Sequence, residues 1–242
     1  MPDWVSNKMR RIEKIREAKK ALEEEARARA LADSRAKGAT RQEAKAAAKN
    51  ASPEPRAQRN FTDSQSRIMK GADGFVQAYN CQAAVDSASQ VIVAQRVTNQ
   101  ANDIQQLRPM LDEIKRSTGR QAQQLSGDAG YCSEDNLAEL RRRQIRGYVA
   151  TGRDRHGDAA AKGACRKGSG KLRRAMATRL RLGGWVSRYR LRKRTVEPVF
   201  GQIKQARGFR QFLLRGLAAV GLEWSLVATA HNLLKLHAAV QA

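Results

Sequence analysis

Two carboxylates sit in settings suited to chemistry. Asp128 lies in "LSGDAGYCSEDNL" (125–137), just past an apolar residue and among Gly127, Ala129 and Gly130. Ser133 then reads as a helix cap, with Glu134 and Asp135 in the first turn. Asp128 thus falls at a strand-to-helix corner. The second acid, Glu197, is the only one between Asp158 and Glu223, in "YRLRKRTVEPVFGQIKQARGF" (189–209). On a helix, Lys193, Glu197 and Lys204 fall near one face while Val196, Phe200 and Ile203 turn toward a core. Pro198 either opens that helix or kinks it. Each acid also has a plain reading: Asp128 as turn punctuation, Glu197 as an ion-pair partner for arginine. Taken together they match what two-metal phosphoryl transfer requires. Mg²⁺ and Mn²⁺ favour carboxylate oxygens, and two ions about 3.5–4 Å apart clamp the attacking and leaving oxygens. Surrounding Arg and Lys hold phosphates. No Ser–His or Cys–His pair competes, and the Gly-rich stretch at 163–171 has no strand before it to make a phosphate loop.

Charge names the partner class. The 242 residues carry 47 Lys and Arg against 23 Asp and Glu, a net charge of +24, with a pI near 11.0. Such a chain suits a polyanion, since each neutralised phosphate releases counterions. The opening "MPDWVSNKMRR" lacks the apolar core of a signal peptide. The most apolar run, Leu217 to Leu236, is interrupted by Glu223, His231, Asn232 and Lys235, so it reads as a buried helix rather than a membrane span. Three cysteines (Cys81, Cys132, Cys165) and three histidines (His156, His231, His237) complete no zinc spacing. A reduced, cytoplasmic protein without structural metal is expected.

The elements that must position these acids follow from pattern. Residues 7–37 are rich in Ala, Glu, Lys and Arg without Gly or Pro, with a thin stripe of Ile12, Ile15 and Leu22. That predicts a long exposed helix or half of a helical hairpin. A second helix-prone stretch runs to residue 50, and Pro53 and Pro55 then mark a linker at 50–60. The expected organisation is a charged helical segment (1–49), the linker (50–60) and one domain (61–242). Residues 74–86 and 90–98 read as one β-hairpin. Ile104, Leu107, Leu111 and Ile114 mark a helix with a kink at Pro109. A strand at 122–127 leads into Asp128, a helix holds Leu137 and Leu140, and a strand follows at 146–151. Strands separated by helices imply a partly parallel α/β sheet with right-handed crossovers. Residues 153–215 form a basic district with nineteen Lys and Arg and three acids. Its first half is Gly-rich and expected to be mobile; its second half is helical, with the helix at 217–238 behind it.

"LSGDAGYCSEDNL" and "YRLRKRTVEPVFGQIKQARGFRQFLLRG" resemble the second and third catalytic blocks of DDE transposases from bacterial insertion sequences. "NFTDSQSRIMK…GFVQAYNCQAAVD" and "VTNQANDIQQLRPML" are similar to the hairpin and helix that precede them. The resemblance spans about residues 58–237. In the third block, Tyr189, Arg192, Glu197 and Lys204 keep the family's Tyr–Arg and Glu–Lys spacings. Four residues rather than three separate Arg192 from Glu197, unless Lys193 fills that basic position. The resemblance implies an RNase H-like mixed sheet flanked by helices. It implies Asp128 and Glu197 as catalytic ligands of Mg²⁺ or Mn²⁺. It also implies Tyr189, Arg192, Lys193, Lys204, Arg207 and Arg210 as contacts to double-stranded transposon-end DNA.

One departure bears on activity. The family's first acid lies on its first strand in a "DGT"-like block, and this sequence has none. The resemblance therefore implies an N-terminally truncated copy, missing its first strand, with the charged helix as the insertion that follows that strand. Asp86 is the candidate stand-in, ahead of Asp63 and Asp73 in loops. The expectation is a DNA-binding catalytic-core fragment inactive alone, in the bacterial cytoplasm with the nucleoid, working as a homodimer or with a complementing transposase chain. The alternatives are a non-catalytic basic nucleic-acid-binding protein whose acids are structural, and an interaction protein driven by the helix at 7–37.

Overall fold

The computed structural model describes residues 3–71, 74–152, 168–183, 189 and 191–241. The chain divides into two compact units, Met1–Ala78 and Tyr79–Ala242. Residues 153–167 and 184–188 of the basic district, Asp73 and the side chain of Lys193 lie outside the described residues, while Lys171–Gly183, in the half expected to be Gly-rich and mobile, form a helix.

The first unit is a helical hairpin with a small β-hairpin. After a short α1 (Asp3–Ser6), the charged run forms α2 (Lys8–Ala36). The Asn7 side chain caps it by accepting from the Met9 and Arg10 amides. Gly38, at φ +81°, turns the chain into α3 (Arg41–Asn50). Thr40 and Glu43 close a reciprocal capping box there. No residue of α2 is buried, so its predicted solvated character holds. Beyond the prolines, β1 (Arg67–Lys70) pairs antiparallel with β2 (Phe75–Ala78). This corrects the reading of residues 74–86 as one strand. The strand breaks at Tyr79, and residues 75–78 take 67–70 as their partner.

The second unit holds both acids. β3 (Asn80–Val85) and β4 (Ile92–Thr98) form the antiparallel hairpin. Its turn is fixed by the Asp86 carboxylate, which accepts from the Ala88 and Ser89 amides at 3.1 and 2.8 Å. α4 (Leu107–Thr118) buries Leu107, Met110, Leu111 and Ile114 and ends at Gly119, at φ +67°. Pro109 falls in its first turn, where an amide has no intrahelical acceptor, so the helix runs on without the predicted interruption. β5 (Gln124–Gly127) and β6 (Arg146–Val149) are parallel and joined through α5 (Glu134–Arg142). α6 (Lys171–Gly183), α7 (Leu191–Gly201), a π-helical turn (Gln202–Ala206) and α8 (Leu217–Val240) complete the unit. The architecture is mixed α/β.

Two clusters form the core. Leu107, Leu111, Leu140, Val149 and Leu180 join α4, α5, β6 and α6. Ile92, Val199, Ile203 and Trp224 join β4, α7, the π turn and α8. The expected sheet is present as separate pairs: among the described residues β3 pairs with β4 and β5 with β6, and no ladder joins the two. Between them runs a groove of about 600 Å³, lined by Ala83, Val85 and Asp86 on one side and Leu125, Ser126 and Gly127 on the other. Tyr131, past the end of β5, hydrogen-bonds Gln82 near the start of β3. Arg120, before β5, lines the groove along with Asp86, past the end of β3. The two edges therefore run in opposite directions.

α8 corrects the expectation of a buried helix. Val220, Trp224, Ala228 and His231 are buried, yet Leu222, Leu226, Leu233 and Leu236 are exposed. By length and composition it is the one described helix apolar enough to cross a membrane. Its inner face is tied to the β3–β4 hairpin. Asn232 brackets Ile92, accepting from its amide at 2.8 Å and donating to its carbonyl at 2.9 Å. The Trp224 indole donates to the Gln82 carbonyl.

His231 makes this seam pH-sensitive. Its Nε2 donates to the Gln90 carbonyl (2.9 Å), and Nδ1 lies 3.1 Å from an Arg207 guanidinium nitrogen. Nδ1 must therefore be the acceptor, which is the neutral imidazole. Burial first, then the charges of Arg207 and Lys235, push its pKa below the ordinary value, against the pull of the Gln90 carbonyl. A histidine with a lowered folded pKa stabilises fully above its unfolded value and progressively less as pH falls below it. Unfolding free energy is thus expected to decline below about pH 6.5. Denaturant titrations at stepped pH should show that slope, and His231→Gln should reduce it.

Candidate active site

Asp128 follows β5 directly. It caps the single turn at Ala129–Tyr131, its Oδ1 accepting from the Gly130 amide at 2.8 Å. The carboxylate is half-buried rather than fully enclosed. A helical register is then set by Ser133, whose hydroxyl accepts from the Asn136 amide to start α5. The sequence-predicted corner is thus built by local chemistry.

Asp103 is the neighbour that the sequence does not announce. A side-chain carbon placed on Gly130 would lie 2.7 Å from Asp103 Oδ2 and 3.0 Å from Asp128 Oδ1. The two carboxylate oxygens therefore face the same small space and are no farther apart than the sum of those distances. A larger residue at 130 would push one of these carboxylates aside. Asp103 Oδ1 also accepts from Asn80 Nδ2 (2.6 Å) and Gln82 Nε2 (2.8 Å). Gln82 in turn accepts from the Tyr131 hydroxyl. Burial, then the two aspartates, drive that phenol well above its ordinary pKa, so it remains a donor. In sequence, Asp103 looks like an ordinary acid behind a helix-capping Asn102, which is also its local setting. Its approach to Asp128 is a tertiary event.

Glu197 is exposed on α7, and its carboxylate lies 3.6 Å from Arg192. Arg192 also stands over the ring of the buried Tyr189, 5.7 Å from its centroid. Tyr189, Arg192 and Glu197 are thus brought together. Pro198 lies inside α7 rather than opening it. Having no N–H, it leaves the Arg194 carbonyl without its helical donor, and Gln90 Nε2 donates to that carbonyl at 2.9 Å. Gln90 adopts φ +59° in the β3–β4 turn. Its side-chain oxygen accepts from Lys235 (2.7 Å), and its carbonyl accepts from His231. One turn residue therefore joins the helix of Glu197 to α8.

The facing predicted for α7 needs correction. Among the described side chains of α7, Thr195 and Val199 are buried and Val196 and Phe200 half-buried. Phe200 and, in the π turn, Ile203 do join the core as expected, whereas Thr195 and Val199 take the buried places not expected of them. The π turn carries Lys204 round to 5.8 Å from the Phe200 ring, instead of continuing the line of Glu197. The extra residue per turn shifts everything beyond Gly201. Lys204 and Arg210 are exposed; Arg210 bonds Gln205, and Arg207 is committed to His231.

Thr195 and Val196 line the same groove as Gly127. The residues next to Glu197 and Asp128 thus meet at one concavity. Among the described residues no group of three or more His, Cys, Asp or Glu converges as a metal cage. The donors present are carboxylates, the ligand type that suits Mg²⁺ and Mn²⁺. No ion pair to Lys or Arg joins Asp128 or Asp103 among the described residues. That chemistry fits a divalent cation at Asp128.

A basic element is anchored beside this corner. The Glu134 carboxylate accepts from the Leu172 and Arg173 amides at 3.1 and 2.9 Å, capping α6 from α5. Arg173 reaches back to the Cys132 carbonyl. A side-chain carbon on Gly170 would meet Glu134 at 2.2 Å, so this docking requires glycine.

The family model described as "Transposase DDE domain" matches residues 34–233. The chain belongs to the transposase DDE domain family. No curated protein and no solved structure matches it. The match starts in the last turn of α2 and reaches into α8, so it takes in Asp128, Glu197 and every basic candidate. The general function is that of a transposase, with DNA as the partner that the family suggests and divalent metal as its usual cofactor.

Proposed function

We propose that this transposase domain is a DNA strand-cutting and strand-joining core, with Asp128 and Glu197 as ligands of Mg²⁺ or Mn²⁺. The observation that carries the reading is the meeting of their chain neighbours, Gly127 and Val196, at one groove. When bound, the metal would activate water or a 3′-hydroxyl and stabilise the leaving oxygen. Asp128 supplies an oxygen donor whose orientation is fixed by the Gly130 amide. Arg192 positions Glu197 and is itself steadied by the Tyr189 ring. Lys193, Lys204, Arg207 and Arg210 are the further contacts to double-stranded transposon-end DNA. Exposed Lys204 and Arg210 are the phosphate contacts, whereas Arg207 also serves the fold through His231.

The finer fold in this reading is RNase H-like, within residues 61–242, with residues 1–49 as an insertion and 50–60 as linker. In that fold the groove between β3 and β5 is the seat of a central strand. Antiparallel edges on either side support this, because a strand between them would pair parallel with one and antiparallel with the other. Asp86 lines that groove but spends its carboxylate on the Ser89 hydroxyl and on the Ala88 and Ser89 amides. Those bonds, Ser89 foremost, hold its pKa below the ordinary carboxylate value.

The chain alone is therefore expected not to cut DNA, because a third acid is not gathered at Asp128 among the described residues. The check is incubation with supercoiled DNA in Mn²⁺ beside an Asp128→Ala control. Nicking at the control's background level is expected. Nicking that Asp86→Asn abolishes would contradict it and would assign Asp86 to the site.

A further inference from the structure

The outer face of α8 carries a repeat that neither the core nor the proposed chemistry uses. Leu222, Leu226, Thr229, Leu233, Leu236 and Val240 follow one another at intervals of four, three, four, three and four. At 3.6 residues per turn these six fall within about 80° of the helix circumference. The buried side chains Val220, Trp224, Ala228 and His231 lie on the opposite face. The four leucines and the valine are each 60% to 76% exposed. An average spacing of 3.5 residues is the a/d seam of a left-handed coiled coil, narrower than the stripe by which a helix packs on a globular core. Thr229 turns its hydroxyl to the Ser225 carbonyl of its own helix, at 2.9 Å, so its polar atom is satisfied without a partner.

From this geometry we infer that α8 pairs with α8 of a second copy of the chain through this seam. Charge supports that occupant. The chain has 47 Lys and Arg, yet none stands at the six seam positions or at positions 223, 225, 230, 232, 237 and 239 that flank them. Two copies can therefore approach along this line without cations facing each other, and the one carboxylate among these positions, Glu223, is held by the Leu213 and Leu214 amides. Area supports it too. Leu213 and Leu214, whose amides donate to Glu223, sit beside the Leu222 end and are also exposed. The stripe with its end offers on the order of 600 Å² per copy, so pairing buries about 1,200 Å², the lower bound of a specific interface. A membrane surface is the poorer fit, because interfacial helices flank a broader apolar face with Lys and Arg. The inner face is already fastened to the hairpin, so pairing requires no refolding.

The test is sedimentation equilibrium of the full chain at micromolar to tens of micromolar concentration in 0.5 M salt, which screens the net charge. A dimer of the 26.9 kDa chain is expected. Leu226→Asp with Leu233→Asp should weaken it at least 100-fold and leave the far-ultraviolet spectrum of dilute protein unchanged. Thr229→Leu should tighten it about tenfold, since leucine suits the d position; this variant needs no loss to be read. A monomeric wild type over that range, a double variant that remains dimeric, or no response to Thr229→Leu would overturn the inference. So would a monomer that co-sediments with phosphatidylcholine vesicles and loses that binding in the double variant.

Discussion

Raising salt from 50 to 200 mM is expected to lower the affinity of this chain for duplex DNA by about 10³–10⁵-fold, the range for six to ten phosphate contacts. The physical cause is counterion release driven by the +24 net charge, with nineteen Lys and Arg concentrated in residues 153–215. The structure sharpens which residues report it. Lys204 and Arg210 are exposed, so Ala at either should reduce the log–log salt slope by about 0.9 while leaving the fold intact. Arg207→Ala should behave differently: it also removes the donor to His231 and so lowers stability. Arg192→Ala likewise releases Glu197. Fluorescence anisotropy across a salt series measures all four. An affinity that salt leaves unchanged would refute an electrostatic interface.

Among the described residues, β3 and β5 each have an edge without a ladder along the groove between them, and backbone groups left without partners there cost roughly 1–3 kcal/mol each where water is excluded. The chain alone is expected to melt at low temperature or to aggregate. An extended peptide that fills the groove, such as alternating valine and threonine, would make about five ladder bonds at roughly 1 kcal/mol each. At about 2–4 °C per kcal/mol for a unit of this size, the melting temperature should rise by about 10–20 °C. Circular dichroism melts with and without the peptide decide it. A cooperative transition of soluble monomer above ordinary growth temperature, indifferent to peptide, would mean that the groove is not a strand seat.

What was legible in the sequence was what is local. The Asp128 corner rests on Gly127, the Ser133 cap and the parallel β5–α5–β6 unit, all within some 25 residues of chain, and pattern alone indicated them. β1 lies in the stretch that resembles the family's hairpin, but periodicity alone does not mark it, because Ile68 and Met69 are flanked by Arg67 and Lys70, leaving too short an apolar signal. The break at Tyr79 depends on which neighbour each half-strand finds, which periodicity does not encode. Asp103 and Asp128 meet only because α4 and the β3–β4 hairpin bring the two turns together. The facing of Lys204 failed for a geometric reason: a π turn cannot be foreseen from a 3.6-residue wheel. The same wheel, applied to α8, reveals a second apolar stripe that a search for one buried face passes over.

The proposed divalent-metal site at Asp128 can be read out by Mn²⁺ binding to the full chain, followed by electron paramagnetic resonance. Because free and protein-bound Mn²⁺ give different signals, the measurement reads occupancy without requiring activity or DNA. Saturable binding at millimolar affinity or tighter is predicted, lost in Asp128→Ala and weakened in Glu197→Gln, with both variants keeping the wild-type circular dichroism spectrum. Absence of saturable binding, or binding that Asp128→Ala leaves unchanged, would mean that Asp128 does not hold a metal.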